Sequence, residues 1–279
     1  MKPLIEVAIV DLCCNNNIML PGKMVIADLG CSSGPNALAL VSIAVKATRN
    51  HFLKFQKPPP EVCVLLNDLP DNDFNVVVKS LVALQQTNEP VCVTGIVPGS
   101  FYGRIFPSDS VHLICSSSSP HWLSKASEDL RINHISAYDM DEHVRRERLP
   151  VVVEAYARQF KKDFTLFLEL RSKDLVPEGQ MIVSLAGRHS DELATEISHV
   201  WGTVVQILGI MASEGVIDKA KFDSFYIPAY GPSTKELRVI IEEEGSFSII
   251  EMRVHDPTSG MDNAHLTPNR ISNGLRAAF

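Results

Sequence analysis

The amino-acid sequence predicts an α/β fold with a mostly parallel sheet. Short apolar runs alternate along the chain with longer helical patterns, which is typical of strand-helix-strand units. With 45% hydrophobic and 21% charged residues among 279, the chain can bury a large core. Two acids, Asp28 and Asp68, stand at the ends of such runs, and open α/β sheets bind ligands at the carboxyl ends of their strands.

The first half of the chain is predicted to alternate helices and strands. Pro35 suits the first position of a helix, and the prolines at 58–60 end that helix. Runs rich in valine, isoleucine and leucine predict the strands. The predicted elements are helices over 3–14, about 36–55 and about 74–84, and strands over 24–28, 61–67, 91–94 and 111–115.

The second half is predicted to be mainly helical. Helical patterns cover about 142–175, about 190–214 and 234–244, and Gly245 ends the last of them. Strands are predicted over 180–185 and 247–253. We see no internal repeat and no linker between autonomous domains, so we expect one domain over 1–279 with helical insertions at about 126–160 and 190–245.

Composition and charge argue against several classes of protein. The net charge of -7 gives no basic footprint for nucleic acid, and the dense basic cluster at 145–148 contains a glutamate, as is typical of a solvated helix face. Six cysteines lack the spacing of zinc sites and disulfide frameworks. Glu6 interrupts the N-terminal apolar stretch, and no segment is apolar over the length of a membrane span. We expect a cytoplasmic protein without a nucleic-acid or membrane partner.

The most informative segment is MVIADLGCSSGPN at 24–36, where an apolar strand leads into a glycine-rich turn and a helix. It also fits G-x-S-x-G, the pattern in which an α/β-hydrolase would use Ser32 as nucleophile, with Asp223 and His255 downstream in the required order. However, only about 23 residues precede this first strand, and the H-G-G-G oxyanion motif is absent. Both observations disfavour the hydrolase.

The same turn departs from a dinucleotide site. The pattern G-x-G-x-x-G is absent, and Asp68 lies 34 residues beyond Gly34, where a dinucleotide site has its acid about 20 residues on. Acids at two strand ends without pyrophosphate-binding glycines suit a ligand with a ribose and an amino acid but no phosphate. S-adenosylmethionine is such a ligand, because a carboxylate can meet its ammonium and another can accept both ribose hydroxyls.

Four blocks of the sequence extend this interpretation. They are ADLGCSSGPN at 27–36, LNDLPDNDFN at 66–75, VPGSFYGRIFP at 97–107 and SSSSPHWLS at 116–124, and FKKDFTLFL at 160–168 supports them. In content and order they resemble the plant SABATH family, S-adenosylmethionine-dependent methyltransferases of small acids such as salicylate, benzoate, jasmonate and indole acetate, or of xanthine nitrogens. The resemblance implies a Rossmann-like class I methyltransferase sheet with helices on both faces and a mainly helical cap.

The resemblance also implies which residues meet the cofactor. At its methionine end these are Asp28, Gly30, Cys31 and Asn36. Asp68 is implied for the ribose, with Leu69, Ser100 and Phe101 around the adenine and Ser117 as a further contact. Phe101 can provide a flat apolar wall for the base.

The fourth block resembles the acceptor-binding segment of the family, which implies Ser118, His121 and Trp122 as substrate residues. The indole N–H of Trp122 can donate to a substrate carboxylate while its ring packs on an aromatic acid. The resemblance further implies a metal, with magnesium as the candidate, at Asp223 and the main chain of Phe225. The resemblance also implies a homodimer.

The function implied is methyl transfer to the carboxylate of a small, preferably aromatic, acid such as salicylate or benzoate, giving a methyl ester without a catalytic acid or base. Compared with the family, the chain starts inside its first helix and stops before a final antiparallel strand, so an N-terminal lid and a C-terminal strand are expected to be missing. The alternative is a truncated, catalytically impaired paralogue or incomplete gene model that binds cofactor weakly.

Overall fold

The structure is a computed structural model that describes residues 1–14, 22–85, 92–139, 141–188 and 199–255, without the side chains of 35–37, 84, 85, 142 and 199–203. The first half of the chain contains α1 (Lys2–Cys14), β1 (Lys23–Leu29), α2 (Pro35–Lys54), β2 (Glu61–Asp68), α3 (Phe74–Gln85), β3 (Cys92–Pro98) and β4 (Val111–Ser117). The second half contains α4 (Glu128–Ile132), α5 (Glu142–Asp174), β5 (Leu175–Ser184), α6 (His199–Ser213), α7 (Lys219–Asp223) and α8 (Thr234–Glu244).

The strands form one sheet in the order β3-β2-β1-β4-β5. β1 pairs in parallel with β2 and β4, and β2 pairs in parallel with β3. After β3 the chain crosses to the other side of β1, so the strand order reverses between β1 and β4. Such a reversal opens a crevice at the carboxyl ends of the strands, where α/β proteins bind their ligands. The predicted α/β fold is confirmed.

The core of the sheet explains why these sequences form these elements. Six consecutive residues of β1, from Met24 to Leu29, are buried, as expected for a central strand covered on both faces. In α1 the buried residues are Ile5, Ala8, Ile9 and Leu12, whose spacing places them on one helical face. This face packs in the same apolar cluster as β1 and α2.

The chain divides into two compact units. The first unit consists of Met1–Ser117, Leu170–Val183 and Ser248–Phe279, and the second unit of Ser118–Glu169 and Ser184–Phe247. The first unit includes the sheet, whereas the second unit is mainly helical. The second unit covers most of the segments 126–160 and 190–245 that the sequence predicts as helical insertions, and the assignment of one domain stays a prediction.

The strand predicted over 247–253 is wrong. Residues 246–255 have no regular secondary structure, and the side chain of Ile250 is 83% exposed. The alternation of apolar and polar residues is present, but a strand also needs a neighbour to accept and donate its backbone hydrogen bonds. No described strand pairs with this segment.

Smaller differences concern element boundaries. β5 begins at Leu175, five residues before the predicted strand, because the segment with Pro177 and Gly179 is also extended. The short helices α4 and α7 are not predicted, since five residues give too little periodicity to detect. The predicted helix over 190–214 is described from His199 onward, and its first part lies outside the described residues.

Two features bear on the classes that composition disfavours. None of the described helices is long and apolar enough to cross a membrane. All six cysteines are free thiols, and Cys31 and Cys115 are buried, as expected for cysteines that act as small core residues.

Candidate cofactor and acceptor site

The carboxyl edge of the sheet collects most of the implied cofactor residues. The parallel register aligns Leu29 with Asn67 and Asp68 with Pro98, so the turns after β1, β2 and β3 begin at one level. In this part of the first unit the structure brings together Asp28, Gly30, Cys31, Asp68, Leu69, Ser100, Phe101 and Ser117. Asn36 lies in the first turn of α2, and its side chain is outside the description.

The turn after β1 adopts a backbone that few residue types favour. Gly30 and Ser32 have φ angles of 74° and 55°, both in the left-handed region. The main-chain N–H groups of Gly30 and Cys31 both donate to the main-chain oxygen of Asn67, at 2.9 Å each. The end of β2 therefore fixes the shape of the turn that follows β1.

Asp68 holds its carboxylate against two main-chain N–H groups. Its Oδ2 accepts from Ser32 N at 2.6 Å, and its Oδ1 accepts from Leu69 N at 2.8 Å. A carboxylate oxygen has a second acceptor site. Asp68 is thus oriented by the protein and keeps acceptor capacity on both oxygens, as a side chain that receives two hydroxyl groups requires.

Asp28 is a buried carboxyl group at the end of β1. Its side chain accepts no hydrogen bond from the residues that the structure describes. Burial, and secondly the charge of Asp68, raise its pKa to about 7. A cation placed beside Asp28 would stabilise its charged form. Burial also raises the pKa of the neighbouring Cys31 thiol to about 12, so this thiol is protonated and is no nucleophile at neutral pH.

Asn67 is a residue of this site that the sequence reading does not single out. Its side chain is fully buried, and Nδ2 donates to the main-chain oxygens of Val97 and Gly99, at 2.8 Å each. Because its main-chain oxygen accepts from the turn after β1, Asn67 connects the ends of three strands. The available signal is a strongly polar amide at the end of an apolar strand, directly before an acid.

The loop after β3 carries the two residues implied around the adenine. Gly99 N donates to the main-chain oxygen of Asp68 at 2.8 Å, which joins this loop to β2. Ser100 Oγ accepts from Tyr102 N at 3.2 Å and shapes the turn. The ring of Phe101 is half-buried and lies 4.7 Å from the ring of Tyr102, so an aromatic surface forms here.

The implied acceptor residues all belong to the second unit. Ser118 is exposed, has a φ of 57°, and donates through its main-chain N–H to Ser184 O at 2.7 Å. His121 and Trp122 are half-buried, and their ring centroids lie 5.5 Å apart. Trp122 pairs with Ala229 in an isolated antiparallel bridge. Like Tyr138 and Phe225, it packs against the buried apolar cluster of this unit.

His121 is held in its neutral form. Burial lowers its pKa to about 4, so the imidazole is uncharged at neutral pH. Its Nδ1 accepts from Ala186 N at 3.4 Å, which assigns the ring proton to Nε2. His121 can therefore donate one hydrogen bond, but it provides no positive charge for an acid.

A buried carboxylate on α5 holds the segment that carries Trp122. Asp163 Oδ2 accepts from Ser124 N and Oδ1 accepts from Ser124 Oγ, both at 2.8 Å, and Gln159 Nε2 donates to Oδ1 at 2.9 Å. Only 3% of the Asp163 side chain is exposed. Asp163 belongs to the supporting block at 160–168, and this contact explains why an acid stands in an otherwise apolar helical face.

A model of a protein family, described as SAM dependent carboxyl methyltransferase, matches residues 1–279. The chain belongs to this family. A probable jasmonic acid carboxyl methyltransferase 2 of Theobroma cacao is 40% identical over 257 residues, which cover 89% of this chain and 68% of the relative. A salicylate carboxymethyltransferase of Clarkia breweri is 40% identical over 250 residues, covering 89% and 67%. The chain thus spans about two thirds of the length of these relatives.

A solved methyltransferase has the same fold as this chain. The structure of a loganic acid methyltransferase with SAH superposes with a TM-score of 0.82 at 30% identity, covering 99% of this chain and 77% of that one. The Rossmann-like methyltransferase fold of this carboxyl methyltransferase family member is therefore confirmed. The family uses S-adenosylmethionine, and its assignment as a methyltransferase decides against the hydrolase based on Ser32.

The residues at the sheet edge of this family member fit S-adenosylmethionine. Asp28 is a buried carboxyl group without a described hydrogen-bond donor, and an ammonium would compensate its charge. Asp68 offers oriented oxygens for ribose hydroxyls, and the left-handed turn at Gly30 lets main chain approach a ligand closely.

The residues implied for magnesium, in the second unit, do not form a metal site with other described residues. Asp223 is ion-paired with Lys219, whose Nζ lies 3.0 Å from Oδ2. Tyr226 uses its hydroxyl to donate to Ile135 O at 3.1 Å. Among the described residues, no group of three or more histidine, cysteine, aspartate or glutamate side chains is placed to bind a metal ion. Magnesium stays a prediction of the resemblance, and we derive no step through it.

Proposed function

We propose that this chain transfers the methyl group of S-adenosylmethionine to the carboxylate of a small acid, with an aromatic acid such as salicylate or benzoate as the preferred class. The observation that carries the cofactor part is Asp68, whose carboxylate is fixed by two main-chain N–H groups and keeps acceptor capacity on both oxygens. Asp28, Gly30, Cys31 and Asn36 would lie at the methionine end, and Leu69, Ser100, Phe101 and Ser117 around the rest of the cofactor.

The acceptor part rests on three residues of the second unit. Trp122 would donate its indole N–H to the acid and cover one face of an aromatic ring. His121, neutral with its proton on Nε2, would donate a second hydrogen bond to the acid without adding a positive charge to the site. Ser118 would border the ring. The relatives named for jasmonic acid and salicylate support a carboxylic acid as the substrate class.

The chemistry needs orientation more than proton transfer. The reference pKa of a carboxyl group is near 4, so the acid is already ionised at neutral pH and needs no general base. When bound, S-adenosylmethionine supplies a methyl group on a sulfonium sulfur, and an O–C bond forms as the S–C bond breaks. The chain's own residues would align the carboxylate with the methyl carbon and exclude water, which is proximity catalysis.

Titration calorimetry with S-adenosylhomocysteine tests the cofactor site. We expect the protein to bind, and Asp68→Asn to weaken binding at least about tenfold, because an amide offers fewer acceptor sites to the ribose. Asp71→Asn is the matched control, since Asp71 is an exposed acid three residues along and should leave affinity unchanged. Folded protein without binding would refute the proposed function and support the impaired alternative.

A panel of acceptors with labelled S-adenosylmethionine tests the reaction. We expect methyl esters of salicylate or benzoate to exceed those of jasmonate, and no methylation of xanthines. Trp122→Ala should reduce acceptor use about tenfold or more while the affinity for S-adenosylhomocysteine changes less than about twofold. Methylation confined to xanthines, or an equal loss of acceptor use and cofactor affinity in Trp122→Ala, would contradict the proposal.

A further inference from the structure

A fully buried ion pair stands at the end of α5, in the part of this helix that belongs to the first unit. The side chains of Arg171 and Asp174 are both 0% exposed. Nε and Nη2 of Arg171 lie 2.9 Å and 2.8 Å from Oδ2 of Asp174. The buried Oδ1 of Asp174 has no hydrogen-bond partner among the described residues, so the pair is not fully compensated.

The same guanidinium also binds the loop after β3. Nη1 of Arg171 donates to Phe101 O at 2.7 Å, and Nη2 donates to Gly103 O at 3.0 Å. These two oxygens belong to the turn that carries Ser100 and the ring of Phe101. One planar side chain therefore connects an acid on α5 with two carbonyls that lie about 70 residues away in sequence.

Stability alone is a weak reason for this arrangement. Moving two charges out of water is expensive, and buried ion pairs can often be replaced by apolar residues without loss of stability. A guanidinium differs from an apolar residue in its rigid fork of five donors, which can fix several acceptors in one geometry. What Arg171 provides, and an apolar residue of similar size would not, is a fixed main chain at Phe101 and Gly103.

We propose that Arg171 is a positioning residue for the cofactor: it holds the main chain at Phe101 so that the aromatic ring is in place to receive the adenine. This inference rests on the proposed function, in which Phe101 lies against that base. In this proposal Arg171 does not contact the cofactor and acts only through the loop after β3. Its removal should therefore matter as much as Phe101 itself does, and no more.

A double-mutant cycle on the whole chain tests this. Removing both charges together, by Arg171→Met with Asp174→Leu, avoids leaving one buried charge unpaired. Titration with S-adenosylhomocysteine should give about a tenfold loss of affinity for this pair variant, which corresponds to about 1.4 kcal/mol. In a Phe101→Ala background the same pair change should cost less than about twofold, since the ring that Arg171 positions is then absent.

Arg104→Met is the matched control, because Arg104 is in the same loop but donates to Phe106 O and Ser108 Oγ. It should bind with nearly unchanged affinity. Equal losses for the pair change with and without Phe101 would overturn the inference, as would full affinity in the pair variant. An unmodified chain that does not bind at all would instead refute the proposed function.

Arg171→Lys covers the case in which the pair variant fails to fold. Lysine keeps a cation beside Asp174 but lacks the fork that reaches both carbonyls. We expect this variant to fold and to bind S-adenosylhomocysteine about threefold more weakly, with the loss again absent in Phe101→Ala. A folded Arg171→Lys protein with full affinity would overturn the inference.

Discussion

At the scale of single residues, the candidate cofactor site differs from an ordinary sheet edge in its treatment of two acids. Asp68 is supported by main-chain N–H groups, whereas Asp28 is buried and receives no such support from the described residues. Asp68 is oriented to accept hydroxyl groups, whereas the raised pKa of Asp28 means that a cation beside it would increase its charged fraction near neutral pH. This difference makes the titration of Asp28 a direct probe of the site.

The first prediction concerns the pH dependence of binding. Because the folded pKa of Asp28 is about 7, well above its usual value, the folded state holds a proton that a bound ammonium would expel. Affinity for S-adenosylhomocysteine should therefore rise about tenfold from pH 6 to pH 8. Calorimetry in two buffers of different ionisation heat should detect the released proton.

Asp28→Asn is the control for that experiment. It should remove the rise in affinity and the proton release, because an amide does not titrate. The sign for stability is the opposite of the usual acid case: a raised folded pKa stabilises the protein at low pH, and this contribution is lost as the pH rises through about 7. A flat affinity between pH 6 and pH 8 in the unmodified chain would contradict the role of Asp28.

At the scale of elements, α5 supports the segment that carries the implied acceptor residues His121 and Trp122. Within the second unit, its buried Asp163 binds Ser124 through both carboxylate oxygens and so fixes the segment that begins at His121. The main chain of this segment is also bound on its other side, where Leu123 N donates to Pro228 O at 2.7 Å. Trp122 thus belongs to a segment that is hydrogen-bonded both to α5 and to the chain at Pro228.

The second prediction follows from this support. Asp163→Ala should leave the donors of Ser124 and Gln159 without a buried partner, which destabilises the fold by about 1–3 kcal/mol. In protein that remains folded, the KM for the acid should rise while the affinity for S-adenosylhomocysteine is unchanged. Glu154→Ala is the control on the same helix, since Glu154 is exposed and forms an exposed ion pair with Arg158. An unchanged KM in Asp163→Ala would contradict the positioning role.

The sequence predicts the elements that depend on local pattern. β1 and β2 are recognisable because an apolar run ends in an acid, and α8 because Gly245 ends a helical pattern. The structure adds a capping box of Ser233 and Glu236 at the start of α8. The strand over 247–253 has the right local pattern but no described partner strand, so the prediction fails. Pairing is a property of two segments, and one segment does not reveal it.

The same distinction separates the predicted site residues from the missed ones. Asp28 and Asp68 are found because a strand end places them. The importance of Asn67, Asp163 and Arg171 lies in hydrogen bonds to residues that are respectively 30, 39 and 70 positions away in sequence. Polar residues in apolar stretches are the signal available in the sequence, and only the fold shows what each one binds.

At the scale of the whole molecule, the implied residues divide by unit. Every implied cofactor residue is in the first unit, and every implied acceptor residue is in the second. Within the first unit, Asn67 binds the turn after β1 and the end of β3, next to most of the implied cofactor residues. Within the second unit Trp122, Tyr138 and Phe225 pack against one apolar cluster, and such aromatic surroundings suit the ring of an acid. The cofactor and the acid should therefore protect different segments of the chain.

The last prediction concerns the protection of these segments, which amide hydrogen exchange measures. S-adenosylhomocysteine alone should slow exchange in peptides covering 28–33, 67–70 and 98–103. At a ligand concentration one hundred times Kd, the protection can reach about 2.7 kcal/mol, or about a hundredfold, where opening requires release of the ligand. Salicylate added with S-adenosylhomocysteine should then slow exchange in a peptide covering 118–124, and Trp122→Ala should abolish only this second effect.

The helix α8 provides an internal reference in the same data, because none of the implied cofactor or acceptor residues belongs to it. Its exchange should stay constant within error. Protection of 118–124 by S-adenosylhomocysteine with no change at 28–33 would place the cofactor in the second unit and contradict the assignment of Asp28 and Asp68. Protection at both turns of the first unit, lost together in Asp68→Asn, would tie the binding to the carboxylate that the end of β2 presents.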